Sequence, residues 1–371
     1  MTFFPFDLER WQSTWEKRVR FNLAESGVHA FSVAEFLDLT GTAAAELMDV
    51  RLGYNQSDGS PALRRAIASL YPGTSDDHIT ATVGSAEANF VLCWALIEPG
   101  DHVVVISPTY MQIPGLARNF GASVTTVPLR PEDDWRLDPA ELERAVRSGT
   151  KLVVVTNPNN PTGRVLSPTE REAIAASADA VGAWLLADEV YQGAEREAGE
   201  TPSFWGAGDR VLVVNGLSKA YGLPGLRIGW IVSSAEFKQD ILLRHDYTVI
   251  GPTPPSDRLA TLAVRHRGAI LRRTREIIRR NYPVLAEWLD GFGDRVTWQA
   301  PDSGAIALAR YRGGPDSVTL VRHVRATSDV LLAPGAHFGI EDAIRFGFGN
   351  PGAELEAALA ILEPTLHQLL I

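Results

Sequence analysis

The stretch Leu152-Val153-Val154-Val155-Thr156-Asn157-Pro158-Asn159-Asn160-Pro161-Thr162-Gly163 decides how this chain folds. Its first five residues are apolar or β-branched without alternation, which reads as a strand buried on both faces. The Asn, Pro and Gly that follow read as a turn at the strand's carboxyl end. Working outward, the same pattern recurs. Residues 184–187 run into Asp188-Glu189-Val190-Tyr191, and residues 211–214 run into Asn215-Gly216-Leu217-Ser218-Lys219. Residues 102–106 and 124–127 read as two further buried strands, with helical stretches at 86–97 and 168–180 between strands. This alternation predicts an α/β fold, a mostly parallel sheet with helices on both faces. From about Leu271 the pattern changes to an Arg-rich amphipathic stretch, weaker strands and a closing helix from Ala353. The expectation is a large domain at 46–270 and a smaller α+β domain built from 1–45 and 271–371, since neither end can bury a core alone.

The chain has 371 residues, 45% hydrophobic and 22% charged, the composition of a globular protein. A net charge of −10 argues against binding to nucleic acid or to an anionic membrane. The longest wholly apolar stretch, 90–97, is too short to cross a bilayer. Asp7, Glu9 and Arg10 stand where a signal peptide needs its apolar segment, and the one cysteine, Cys93, has no internal disulfide partner. A cytoplasmic protein is expected. His29, His245 and His337 are isolated and no pair has ligand spacing, so no metal is expected. Gly222, Gly225 and Gly229 do not form a GxGxxG dinucleotide motif. A regulator with an attached winged helix is disfavoured by the charge and by the short stretch before Ser26-Gly27.

In open α/β sheets, ligands bind beyond the carboxyl ends of the strands. Three such ends present, in order, an amide (Asn160), a carboxylate with a phenol (Asp188, Tyr191) and a lysine with a hydroxyl (Lys219, Ser218). Each alone has a plain alternative: Lys219 a solvated lysine, Asp188 a helix cap, Asn160 a turn former. Together they match the needs of pyridoxal-5′-phosphate (PLP). A lysine amine condenses with the aldehyde and later moves protons. A carboxylate keeps the pyridine nitrogen protonated, so that the ring is an electron sink. Val83-Gly84-Ser85-Ala86-Glu87 opens a predicted helix whose first N–H groups suit a phosphate, and Arg227 adds a fixed charge. Lys17, Lys151 and Lys238 sit in polar flanks and are expected in solvent; Cys93 reads as core, and Trp11 with Trp15 as an amphipathic docking helix.

These motifs resemble the class I/II aminotransferases of PLP fold type I over nearly the whole chain. Asn160-Pro161-Thr162-Gly163, Asp188…Tyr191, Ser218-Lys219…Arg227 and Tyr54 match in order and spacing. The resemblance implies that Asn160 and Tyr191 bind the ring hydroxyl, Asp188 the pyridine nitrogen and Lys219 the aldehyde, with Lys219, Asp188 and Tyr191 catalytic. It places Gly84, Ser85, Ala86, Ser218 and Arg227 at the phosphate, and Tyr110 stacked on the ring. Tyr54 would reach over from the partner subunit of a homodimer with shared sites. Arg345 would grip the substrate α-carboxylate, with Gly27 and Asn160 beside it, and the substrates would be an amino acid and a 2-oxo acid. One departure is Gly216, where the family carries Ser or Thr. A finer resemblance, in Ser26-Gly27-Val28-His29, Lys219 to Gly225 and Asp246-Tyr247, is to capreomycidine synthases and enduracididine aminotransferases of antibiotic biosynthesis. It implies a guanidino-bearing substrate whose distal charge meets Glu25 or Asp246, and it keeps a lyase or cyclase open as the alternative. The ordinary form of Asp188-Glu189-Val190-Tyr191 favours transamination.

Overall fold

The computed structural model describes residues 3–197 and 199–370. Helix Asp7–Trp15 and a two-residue strand, β1 (Phe21–Asn22), precede a seven-stranded sheet. Its strands are β2 (Ile79–Thr82), β3 (His102–Ser107), β4 (Ser123–Pro128), β5 (Thr150–Thr156), β6 (Trp184–Asp188), β7 (Val211–Gly216) and β8 (Gly229–Val232), in the order β2-β8-β7-β6-β5-β3-β4. The five expected strands are all present and run parallel to their neighbours among the five. β2 and β8 were not expected. β2, Ile-Thr-Ala-Thr, reads as half-exposed because hydroxyls alternate along it, yet every residue is buried. β8 opens with a glycine and lies antiparallel to both β7 and β2.

Successive side chains of a strand face opposite layers. Val104, Val153, Leu185 and Val213 enter one core. Val103, Leu152, Leu186 and Leu212 enter the other, under helices Ser85–Leu96, Gln112–Asn119 and Phe237–His245. Both faces are thus covered, as the unbroken apolar runs require.

Helices Pro254–Arg265 and Arg267–Asp290 lead into β9 (Val296–Trp298), β10 (Ile306–Tyr311), β11 (Val330–Leu331), β12 (Ala333–Pro334) and β13 (Ala343–Gly347). Four of these form an antiparallel sheet, β12-β13-β10-β9. β11 pairs instead with β1, Phe21 opposite Val330, which joins the start of the chain to its last third. The N-terminal helix docks as expected: Trp11 Nε1 donates to the Leu332 carbonyl at 2.8 Å, and the Arg325 guanidinium lies 3.7 Å from the Trp15 ring centre. Cys93 is fully buried, and desolvation pushes its thiol up to about 12.

Lys238 departs from expectation. It is 4% exposed, with Nζ 2.8 Å from Asp58 Oδ2. Its neighbours in sequence are polar, but the Asp58 turn supplies a carboxylate, and pairing is what makes burial of a lysine tolerable. Among the described residues no helix is long and apolar enough to cross a membrane.

Candidate active site

β5, β6 and β7 are adjacent and parallel, so their carboxyl ends and the three motifs leave one edge of the sheet side by side. Lys219 lies there with Nζ 3.1 Å from Glu25 Oε1. Glu25 belongs to a strap, residues 23–29, held along the end of β13: the Gly347 N–H donates to Leu23 O at 2.6 Å and the His29 N–H to Gly349 O at 2.7 Å. Gly27 sits against the lysine, since a Cβ built on it would lie 3.1 Å from Ser218 O and 3.7 Å from Lys219 Cα. Burial pulls the Lys219 ammonium down, but the Glu25 carboxylate and the Tyr191 phenol outweigh it and the net shift is upward. The lysine's charge in turn holds Glu25 at about 2.

Asp188 is buried, and among the described residues its carboxylate accepts only from the Val190 N–H and from Asn89 Nδ2, both at 3.3 Å. Desolvation raises its pKa to about 6 against those two bonds and the Lys219 charge. Such a carboxylate suits a cationic N–H partner. Asn89, which the sequence reading missed, reaches it from helix Ser85–Leu96. Tyr191 is 2% exposed and its hydroxyl has no hydrogen-bond partner among the described residues.

Asn159 and Asn160 have separate tasks. Asn159 shapes the turn: its Oδ1 accepts from Thr162 Oγ1 at 2.7 Å and its Nδ2 donates to Pro108 O at 3.0 Å. Asn160 Oδ1 accepts instead from Arg345 Nη1 at 2.9 Å. Arg345, on β13, is 1% exposed; its Nη2 donates to the Ala24 carbonyl and its Nε has no partner among the described residues. Burial lowers its pKa, opposed by Tyr191, Glu25, Tyr110 and Glu9. A buried guanidinium bonded, among the described residues, only to neutral oxygens is suited to a carboxylate ligand.

At the other end of the cluster β2 leads into Gly84, whose φ of 81° and ψ of 163° are open to glycine almost alone. Helix Ser85–Leu96 starts there, and β8 crosses it so closely that a Cβ on Gly229 would lie 2.4 Å from Ser85 N. A Cβ on Gly84 would meet Arg227 Nη2 at 2.5 Å, which puts that guanidinium on the same turn, and Arg227 Nη1 is 3.5 Å from Ser218 Oγ. The first N–H groups of Ser85 and Ala86, a hydroxyl and an arginine thus converge at a helix N-terminus, a cradle for a phosphate. Gly216 pairs with Gly229 in the sheet, and a Cβ there would crowd Ile228 O at 3.2 Å, so β8 leaves no easy room for the family's hydroxyl.

Other expected residues lie further out. Tyr110 is half-buried, its hydroxyl donating to Glu9 and its ring edge-on to Phe6 at 5.0 Å. Tyr54 is 95% exposed and makes no hydrogen bond within the described chain. Asp246 is exposed at the end of helix Phe237–His245 and pairs with neither Lys219 nor Arg345, so the fold does not bring it to this cluster. The set fits PLP: an amine, a carboxylate poised for a ring N–H, a partnerless phenol and a phosphate cradle. Asp188→Asn preserves shape and removes the charge, and is expected to raise the reaction barrier by roughly 2–4 kcal/mol while some PLP stays bound. Turnover within about twofold of the parent would make Asp188 a structural cap.

Residues 30–362 match the family described as aminotransferase class I and II. Capreomycidine synthase of Streptomyces vinaceus is 33% identical over 97% of this chain and 93% of its own. A PLP-dependent aminotransferase of Streptococcus suis superposes with a TM-score of 0.94 at 30% identity, covering 100% of this chain and 99% of the other. The PLP-dependent cyclase OrfR superposes with a TM-score of 0.91 at 31% identity, covering 99% and 98%. The chain therefore belongs to the class I and II aminotransferase family, an enzyme of PLP fold type I whose cofactor is pyridoxal phosphate.

Proposed function

We propose that this enzyme is an aminotransferase that exchanges an amino group between an amino acid and a 2-oxo acid, with PLP attached at Lys219. The observation that carries the reading is the buried Arg345, bonded to Asn160 and to a carbonyl and placed beside Lys219 and Tyr191. PLP, when bound, supplies the electron sink for the bond broken at the substrate Cα. The chain's own residues do the rest. Arg345 holds the α-carboxylate, and Asn160 on Nη1 fixes the plane of the guanidinium. Lys219 carries the proton to and from Cα, with Glu25 next to Nζ favouring its charged form. Asp188 would keep a proton on the ring nitrogen and Tyr191 would donate to the ring oxygen. Gly84 to Ala86, Ser218 and Arg227 would hold the phosphate, and Tyr110 would lie over the ring.

The substrate is read as a guanidino-bearing amino acid, such as enduracididine or its 2-oxo acid. Likeness to capreomycidine synthase supports this. A second reading, a lyase or cyclase acting on an arginine-derived amino acid, is favoured by the likeness to OrfR. The two use the same cofactor residues and differ in what remains on the cofactor.

The active unit is read as a homodimer with shared sites, in which Tyr54 crosses to the partner. Met48, Leu52 and Tyr54 are 84%, 86% and 95% exposed, and Tyr247 is 82% exposed on a second loop. A Cβ on Gly251 would touch Gln56 O at 3.0 Å, so the two loops adjoin and form one apolar face, the kind that marks an interface. The two sheets and the β1–β11 pairing support a division into a large domain at 46–270 and a small domain from 1–45 and 271–371.

Single-turnover spectra with guanidino, aromatic, aliphatic and acidic donors test the chemistry. The cofactor is expected to end in its amine form, fastest with guanidino donors. If aromatic or acidic donors react fastest and no guanidino compound reacts, the substrate reading is wrong and aminotransfer stands. Guanidino donor consumed without the amine form accumulating establishes the lyase or cyclase. For the dimer, mixing inactive Lys219→Ala and Tyr54→Ala proteins should restore partial activity in hybrids; a fully active monomer would contradict the shared site.

A further inference from the structure

We infer that Glu9, on the N-terminal helix, receives the distal cation of the substrate side chain and sets the enzyme's specificity, with Tyr110 as its positioning partner. The inference rests on the cationic-substrate reading and names the residue that carries it. Helix Asp7–Trp15 lies beside the Arg345 site, near enough that the Glu9 charge acts on the Arg345 guanidinium. Glu9 and Gln12, three apart, share a helix face. Gln12 Nε2 donates to the Ala24 carbonyl at 2.6 Å, and that same carbonyl receives Arg345 Nη2. The face carrying Glu9 therefore meets the substrate-carboxylate residue through one shared oxygen.

From the other side, Tyr110 donates its hydroxyl to Glu9 Oε1. Tyr110 follows the end of β3, where the Pro108 carbonyl is tied by Asn159 Nδ2 at 3.0 Å. Glu9 is thus fixed from two directions, by a helix docked through Trp11 and Gln12 and by a phenol anchored to the large sheet. Burial and the Glu9 charge raise the Tyr110 pKa, so the phenol stays a donor. Glu9 Oε2 carries no hydrogen bond or ion pair among the described residues, which leaves half of the carboxylate for a ligand.

The acids considered for the side-chain cation divide by position. Glu25 is 3.1 Å from Lys219 Nζ, at the reacting end. A substrate with its carboxylate on Arg345 and its Cα at Lys219 must direct its side chain away from both. Asp246 is exposed at the end of helix Phe237–His245, away from its own chain's Lys219 and Arg345. Glu9 is the acid that a long side chain can reach beyond Arg345. A guanidinium matches a carboxylate with two N–H donors, whereas an acidic side chain is repelled by both Glu9 and Glu25, and an apolar one leaves a charge unpaired.

The test uses PLP-loaded enzyme and a pair of non-reacting ligands, 5-guanidinopentanoate and its uncharged counterpart 5-ureidopentanoate, with binding measured by calorimetry. The parent is expected to prefer the guanidino acid at least tenfold. Glu9→Gln, which can still accept from Tyr110, should erase that preference while binding of the ureido acid and the PLP content stay as in the parent. If the parent has the preference and Glu9→Gln keeps it, the assignment to Glu9 is overturned and the cationic-substrate reading stands. If the parent shows no preference, both fall. Glu25→Gln serves as the control: it should leave the guanidino preference largely intact, and loss of the preference there with retention in Glu9→Gln would exchange the two roles.

Discussion

Lys219 Nζ lies 3.1 Å from a Glu25 oxygen across 194 positions of sequence, and the geometry of the site follows from what that contact demands. A lysine drawn out of water tends to lose its charge. Here a carboxylate holds the charge, and to arrive it needs the strap at residues 23–29 laid along the end of β13. That strap is positioned by β1 pairing with β11. It also carries the Ala24 carbonyl, which anchors Arg345 and the N-terminal helix together. The strap that carries Glu25 therefore sits with the amine, Arg345 and the N-terminal helix at the same strand ends.

The fully buried groups nearby are held away from their comfortable states. Asp188 is pushed to about 6, Arg345 is pulled down by desolvation, and the Tyr191 hydroxyl is without a partner among the described residues. Groups perturbed this way cluster at functional sites because a ligand, not the fold, completes them. Glu189 is the instructive contrast. It adjoins Asp188 and is also buried and raised, to about 7, but alternation turns it to the opposite layer, where it accepts the Phe204 N–H at 2.6 Å. Of two neighbouring acids, only the one facing the strand-end cluster can serve chemistry there.

What the sequence made legible was local. β-branched runs with turn residues at their ends identified five strands of the large sheet, and Asn160, Asp188, Tyr191 and Lys219 stood out because each follows such a run. Other features depend on segments that meet only in three dimensions. Gly229 matters because β8 passes over the Gly84 turn, and Asn89 because its helix tucks under Asp188. Glu9 gains its place from Tyr110, 101 positions away. Polarity of near neighbours misplaced Lys238, which is buried against Asp58. Asp246 lies beside Tyr247 on an exposed face, outside its own chain's cluster, a placement that its motif does not reveal.

The central claim is that Lys219, among four lysines, is the one that holds the cofactor. Reducing the PLP-loaded enzyme with borohydride, digesting it and mapping the labelled peptide by mass spectrometry tests it directly. Label is expected on the peptide that contains Ser218-Lys219 and on no other. Label on Lys17, Lys151 or Lys238, with Lys219 unmodified, would contradict it.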